Sequence, residues 1–375
     1  MTTTDFLIIG GGMAGASAAY YLAERGRVHL LEREDAPGYH TTGRSAAMYT
    51  QNYGTPTVRA LAQASGDFLR HPPAGFSESP LMQARGFLTV APPGEEARLE
   101  QGSADARREV PTMRIVDRKE TLALCPLLKP DIVGAALYEP DATDLDVHAI
   151  HQGFLRGFRA RGGTVATGAE VQSLERRNGV WDVTTPIGKF SAPVVINAAG
   201  AWADVVAALA GVRPVGLVPK RRTAFTIDPP AGVDPGRWPF LDDFRELVYF
   251  KPEAGRLLVS PMDETPSPPC DAQPEDIDVA EAAARLEAIA DVEVKRVVRK
   301  WAGLRSFVAD KTPVVGPAPE APGYIWLAGQ GGFGIMTSPA MGRLASAMAT
   351  DDDFPAELTA LGVRPEQLLP GRLLG

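Results

Sequence analysis

Gly10, Gly12 and Gly15 occupy the run GGGMAG with the spacing G-x-G-x-x-G, and Glu32 follows 20 residues after Gly12. This pattern suits phosphate binding without a catalytic side chain. The first glycine permits a tight turn, the second lets the backbone approach a pyrophosphate, and the third lets a helix pack closely on a strand. Free N–H groups and the positive dipole end of that helix then face the phosphates. A carboxylate at Glu32 is placed to hold ribose hydroxyls and disfavours a 2′-phosphate.

The elements needed to position these residues are legible around them. DFLIIG reads as a strand buried on both faces, MAGASAAYYLAERG as a helix stopped at Gly26, and VHLLE as the next strand. A second unit follows: a helix over VHAIHQGFLRGFRARGG, a strand over TVATGAEV, a hairpin over GVWDVTTPIGKFSAP and a buried strand in VVINAAG. Near the C-terminus the strand YIWLAG leads into LAGQGGFGIMTSPAMG, where Gly329, Gly331, Gly332 and Gly334 precede a helix expected from about Pro339. Two backbone cradles at two helix starts suit a long ligand gripped at both ends, which points to FAD rather than NAD. Residues 81–142 and 214–300 are richer in proline and short alternating runs. There PEAGR reads as a hairpin turn and DVAEAAARLEAIADV as an isolated helix. The expected fold class is α/β, with one nucleotide domain in three pieces (1–80, 143–213, 301–375) and a second domain in two (81–142, 214–300).

Bulk properties limit the function classes. A net charge of −8 with dispersed cations, apart from Lys220, Arg221 and Arg222, argues against nucleic-acid binding. Cys125 and Cys270 are too far apart in sequence for a metal-ligand spacing and form no disulfide framework, so no metal site is expected. No basic leader precedes the first strand, and no apolar run approaches the roughly 18 residues of a membrane span. The expected location is the cytoplasm, either free or peripheral to the inner membrane.

Two arginines sit inside otherwise apolar β segments: Arg222 in KRRTAFTI, where alternation sends Arg221 to the opposite face, and Arg305 in WAGLRSF. On the residues alone, each could be solvated, paired with an acid, or a bidentate carboxylate holder. None of the five histidines reads as a base: His29 is in a strand, His71 in a Pro-rich loop, His148 and His151 on a helix, and His40 mainly structural. No Asp or Glu stands out as one either. A substrate proton is therefore expected to leave to solvent or to be absent before binding.

In the order GGGMAGAS with Glu32, GYHTTGRSAA, YGTP, INAAGAW, PKRR, WAGLRSFVAD and GQGGFGIMTSPAMG, the chain resembles the D-amino-acid oxidase superfamily of flavoproteins. Within it, the likeness is greatest to the FAD-dependent D-arginine dehydrogenase group. The resemblance implies a Rossmann-type FAD-binding domain and an α+β substrate domain with an antiparallel sheet. It implies non-covalent FAD and oxidation of a D-amino acid to an imino acid, which hydrolyses to a 2-oxo acid and ammonia; the alternatives are another member of the superfamily, of glycine or sarcosine type or acting on a 2-hydroxyacid, and a dinucleotide-binding module without turnover. It also implies a quinone or O2 as electron acceptor. Family matching places Arg222 and Arg305 on the substrate carboxylate, with Tyr53 and Tyr249 as hydroxyl donors, and Met48, Thr50, Phe87 and Gly332 around the substrate. For the cofactor it implies Gly10, Gly12, Met13, Ala14, Gly15, Glu32 and Arg33, then Thr42, Gly43, Arg44, Ser45, Ala46 and Ala47. It adds Val171, Ala198, Ala199, Gly200, Trp202 and Gly303, and in the last cradle Gly331, Gly332, Phe333, Gly334 and Ile335.

Two positions depart from that group. Met48 stands where it has a histidine, and Phe87 where it has the glutamate that pairs with a cationic side chain. A guanidinium buried without its partner costs several kcal/mol, so hydrophobic D-amino acids are the expected substrates. In GRSAAMYTQNYGTP, Gly43–Ala47 opens like a helix and is expected to cradle the flavin. Residues 48–54 are expected to form a mobile rim, bounded by Gly54 and Pro56, with Tyr53 reaching in.

Overall fold

The computed structural model describes residues 2–374. The four apolar residues Phe6–Ile9 form a strand buried along its whole length. Alternate side chains of a strand face opposite ways. Ile8 therefore joins Leu30, Ile196, Ile325 and Leu327 on one face of the sheet, while Leu7 and Ile9 join Leu31, Val195, Tyr324 and Trp326 on the other. Six strands make this sheet, in the order Thr164–Ala166, Val28–Leu31, Phe6–Ile9, Val194–Asn197, Tyr324–Ala328 and Val314–Pro317. All neighbours run parallel except the last pair. The strand expected over TVATGAEV pairs only at Thr164–Ala166, because Gly168 turns the chain away with φ +62°.

The first helix, Met13–Leu22, ends four residues before the expected Gly26. The Gly26 N–H still reaches the Leu22 carbonyl at 3.2 Å, so the chain continues as a turn. The helix packs between Ser338–Ala349 and Val147–Ala160. Its small residues permit a close crossing: a Cβ on Gly342 would lie 2.8 Å from the Ser17 backbone.

His151, on the helix Val147–Ala160, is buried, and its Nε2–H donates to the Gly11 carbonyl at 2.9 Å. Burial pulls its pKa below the usual value, favouring the neutral ring. A leucine there would strand the Gly11 carbonyl, at a cost of about 1–3 kcal/mol. His151→Leu is expected to lower the denaturation midpoint accordingly, as measured by urea unfolding.

The second sheet is built mainly from the two inserted segments. Its order is Thr265–Pro266, Val218–Ile227, Arg256–Ser260, Tyr249–Glu253, Phe240–Asp243, Phe87–Ala91, Ala135–Glu139 and Arg114–Asp117, with Arg299–Phe307 also paired to Val218–Ile227. The expected antiparallel sheet is present with one parallel junction, Phe240–Asp243 beside Phe87–Ala91, which joins the two insertions. The PEAGR hairpin and the helix Asp276–Ile289 form as expected. We propose that the domain divide follows the sheets, with Arg299–Phe307 going to the substrate domain because it pairs along its length with Val218–Ile227.

One face of this sheet is apolar core. Phe225, Leu241, Phe250, Leu257 and Val259 pack there with Val279, Ala282 and Leu286 of the helix Asp276–Ile289. The register fixes the residues on the other face. Asp242 lies opposite Tyr249 on one side and Thr89 on the other, Phe87 opposite Phe240 and Glu139, and Arg222 opposite Gly303. Directly opposed residues share a face, so these side chains all look toward the parallel sheet.

The segment 43–56 differs from its expected form. A short 3-10 turn spans Thr42–Arg44, and Ser45 is already extended. Met48–Tyr49 then pairs with Asp144 and Thr143 in a small three-stranded sheet. Tyr49 is 2% exposed and Thr50 6%. Strand pairing and burial thus anchor the first half of the expected mobile rim. The irregular stretch shrinks to residues 51–55, ahead of the helix Pro56–Arg70 that Thr55 caps.

Candidate active site

The carboxyl ends of the parallel strands open into a cavity of about 850 Å³, roofed by the far face of the second sheet. Gly10 turns here with φ +106°, and a Cβ on it would lie 2.4 Å from the Ala198 carbonyl oxygen. Glu32 is buried beside it. Its Oε2 accepts from the Gly11 N–H at 2.8 Å and its Oε1 from the Glu34 N–H at 3.0 Å, so the carboxylate is fixed in place at the cavity wall. The Thr42 hydroxyl accepts from the Met13 N–H at 3.0 Å and ties the cradle to the first helix.

Most of the expected residues come together on this wall. Gly10, Gly12, Met13, Ala14, Glu32, Thr42, Ser45, Ala46 and Ala47 line it near the first helix, and Ala198, Ala199, Gly200 and Trp202 beside them. Gly303, Gly331, Gly332, Gly334 and Ile335 close the other end, and Met48, Thr50 and Tyr53 line the cavity together with Phe87, Arg222, Tyr249 and Arg305 of the second sheet. Arg44 also lines the cavity, but its guanidinium donates to the Ala272 and Ala302 carbonyls at 2.9 and 3.0 Å and pairs with Asp271.

Five expected cofactor residues stand behind the wall. Gly15 backs Gly10, and a Cβ there would lie 1.9 Å from the Gly10 oxygen. The Gly43 N–H donates to Gly38 at 2.8 Å. Arg33 pairs with Glu34 and Glu170 and lies over the Trp202 ring. Val171 packs against the core on one side of the parallel sheet. Phe333 is buried against Tyr53 and Phe307, with ring centroids at 4.8 and 6.1 Å.

Arg305 and Arg222 converge at one end of the roof. Arg305 Nη1 donates to the Tyr53 hydroxyl at 3.2 Å, and Arg222 Nε donates to the Asp263 carbonyl at 2.8 Å. The Arg222 side chain is 10% exposed, and burial, reinforced by Arg305, lowers its pKa. Two desolvated guanidinium groups side by side repel and call for an anion. Glu264, 3.5 Å from Arg222, is shared with Lys220, so it neutralises the pair only in part. Gly332 leaves the approach open, since a Cβ there would lie 3.1 Å from Arg305 Nη1 and 3.2 Å from the Tyr53 oxygen. Arg221 goes to the opposite face, as alternation requires, and binds Glu275 and Asp278.

Beyond the arginines, Tyr249, Phe240 and Phe87 form a continuous aromatic wall, with centroids 4.9 Å apart for the first pair and 4.6 Å for the stacked second. Sequence reasoning missed Phe240, Asp242 and Glu139, all of which line the cavity. The alternation in FLDD puts Phe240 and Asp242 on one face, but which face meets the cavity is set by pairing with distant strands. Glu139 lies in LYEP, where nothing local marks it. Burial raises its pKa, while the Thr50 hydroxyl donates to it at 2.6 Å and the Gln51 N–H at 3.3 Å.

A family model described as FAD dependent oxidoreductase (DAO) matches residues 5–348. The chain belongs to this family. As a DAO family member it is 24% identical over 95% of its length to dimethylglycine dehydrogenase of Rattus norvegicus, of which it spans 44%. It is 25% identical to glycine oxidase of Bacillus subtilis, over 91% of this chain and 92% of that one. Its fold is shared with L-proline dehydrogenase from P. horikoshii, with a TM-score of 0.82, 22% identity and coverage of 99% and 98% of the two chains. These names do not carry the narrower likeness to D-arginine dehydrogenases.

FAD is the cofactor, and the cavity fits it. Gly10 and Gly12 line the cavity at the start of the first helix, where its N–H groups would hold a pyrophosphate, and Glu32 lines the same wall, where its carboxylate would hold ribose hydroxyls. Among the described helices none is long and apolar enough to cross a membrane.

Proposed function

We propose that this DAO family member oxidises the carbon–nitrogen bond of an amino acid, with Arg222 and Arg305 holding the substrate carboxylate and Tyr53 and Tyr249 assisting. The observation that carries this reading is the convergence of two desolvated guanidinium groups and a tyrosine hydroxyl on a flavin cavity. Pinning the carboxylate orients Cα–H, and orientation is most of what hydride removal needs. Bound FAD would supply the hydride acceptor. The amine proton leaves to solvent, and water then converts the imino acid to a 2-oxo acid and the free amine. Neither cysteine lines the cavity, Cys125 being in the core and Cys270 at the surface, which supports non-covalent FAD. A quinone or O2 would reoxidise it.

Two substrate types remain in this reading, each favoured by an observation. The names of the relatives favour glycine or an N-methylated glycine. The aromatic wall beyond Tyr249 favours a substrate with a side chain, and with it the D-amino acids of the narrower resemblance; Phe87 in that wall supports an apolar stem. Incubating the holoenzyme with glycine, sarcosine and both enantiomers of several amino acids, with an artificial acceptor, is expected to yield 2-oxo acid and amine in equal amounts. Absence of 2-oxo acid from every member of the panel would rule the reading out.

A further inference from the structure

We propose that Glu139 is a positioning residue: it fixes the base of the rim at Thr50 and Gln51, so that Tyr53 stays beside Arg305 where the substrate carboxylate would bind. This rests on the amino-acid reading above.

Glu139 ends the strand Ala135–Glu139 directly opposite Phe87, on the cavity face of the second sheet, and is buried. One short stretch of the rim takes both of its carboxylate oxygens. Oε2 accepts from the Thr50 hydroxyl at 2.6 Å and Oε1 from the Gln51 N–H at 3.3 Å. The Thr50 oxygen in turn accepts from the Asn52 N–H at 3.1 Å. A carboxylate of the second sheet thus holds the three residues that precede Tyr53.

This attachment works in both directions. Burial opposes the charged form of Glu139, and Asp141 adds to that, while the Thr50 hydroxyl and the Gln51 N–H favour it. A rim base that swung away would strand a buried carboxylate, which is costly. The charge therefore keeps the base closed.

Tyr53 needs such support. It is 41% exposed, with the Phe333 ring at 4.8 Å and Arg305 reaching its hydroxyl at 3.2 Å. On its C-terminal side the chain is pinned at Thr55, whose oxygen accepts from the Val58 N–H at 3.3 Å and meets the Thr312 hydroxyl at 3.2 Å. Gly54, with φ +91°, leaves the backbone between them permissive. On the N-terminal side the anchor is the Thr50–Glu139 pair. Two polar anchors therefore set where Tyr53 stands, and Glu139 supplies one of them. Along the sheet, Ala135–Glu139 lies five strand spacings from Val218–Ile227, the strand of Arg222. That is ~24 Å, so Glu139 acts on the carboxylate site through the rim and not as a base at Cα.

The test is a double-mutant cycle on the holoenzyme, read as kcat and KM for its best amino-acid reductant with an artificial acceptor. Glu139→Gln keeps one acceptor oxygen and turns an NH2 toward a rim donor. It is expected to lower kcat/KM about tenfold, mainly through KM, because binding shared by ground and transition states is lost. Thr50→Val should reproduce that loss, and Thr50→Ser, which keeps the hydroxyl, should not. In a Tyr53→Phe background, Glu139→Gln should change KM by less than about twofold, since residues acting through one another are not additive. Equal loss with and without the Tyr53 hydroxyl overturns the proposal in favour of a purely structural role. A fall confined to kcat overturns it in favour of a part in the chemical step. Loss confined to substrates with a cationic side chain overturns it in favour of direct contact. If Glu139→Gln does not retain flavin, the Thr50 variants combined with Tyr53→Phe decide the same question. Failure of every amino acid to reduce the wild-type flavin removes the amino-acid reading and this proposal together, whereas turnover with an additive cycle removes the proposal alone.

Discussion

Replacing Arg305 with methionine is expected to lower kcat/KM for the amino-acid substrate by about 10²–10⁴-fold, since two charge-assisted hydrogen bonds at ~1.5–3 kcal/mol each would be lost. The guanidinium lines the cavity roof and donates to the Tyr53 hydroxyl at 3.2 Å, so it is already oriented before substrate arrives. Lysine at this position keeps the charge but lacks the planar fork, and about tenfold or more of the loss should remain. The methionine variant relieves repulsion with Arg222, so the loss should come without unfolding. A control isolates the carboxylate. The amine lacking that group should be a poor reductant of wild type and change little in Arg305→Met. If the variant loses activity equally on both compounds, Arg305 acts elsewhere than on the carboxylate. Steady-state kinetics with flavin content determined for each variant makes the measurement.

Gly15→Ala is expected to yield a nearly colourless protein. The added methyl would lie 1.9 Å from the Gly10 carbonyl oxygen and 3.1 Å from its carbon, both backbone atoms in a turn with no slack. Gly10 is itself held against Ala198, where its own Cβ would lie 2.4 Å from a carbonyl oxygen. Opening the turn therefore displaces the first helix start from the position in which its N–H groups meet a pyrophosphate. FAD affinity should fall at least about a hundredfold, the loss of two or more such hydrogen bonds. The second sheet and its core do not involve this turn, so circular dichroism should still report a folded chain. Stoichiometric flavin in the purified variant would show that the cradle tolerates the shift.

What was legible in the sequence was local. The glycine spacing, Glu32 and the flanking strands all lie within one βαβ unit, and the structure assembles them as the spacing implies. Period-2 alternation separated Arg222 from Arg221 because it needs no knowledge of partners, and Arg221 indeed meets Asp278 of the helix Asp276–Ile289 on the face away from the cavity. What was not legible depends on pairing between distant segments. Asp242 reaches the site because its strand lies between Tyr249–Glu253 and Phe87–Ala91, one neighbour antiparallel and the other parallel. No local pattern encodes that placement. The same holds for Met48–Tyr49, whose polar and aromatic run reads as a loose rim until Thr143 and Asp144 pair with it. Arg33 and Phe333 show the converse. Both lie next to wall residues in sequence, yet ion pairing and aromatic packing turn their side chains away from the cavity.

The central claim is that the two arginines hold an amino-acid carboxylate over a flavin. Its most direct test is anaerobic spectroscopy of the purified holoenzyme, titrated with glycine, sarcosine and D- and L-amino acids. The account predicts a flavin spectrum that bleaches with at least one amino acid, and that fails to bleach with the matching amine lacking a carboxylate. Equal bleaching by the amine, or none by any amino acid, would contradict it.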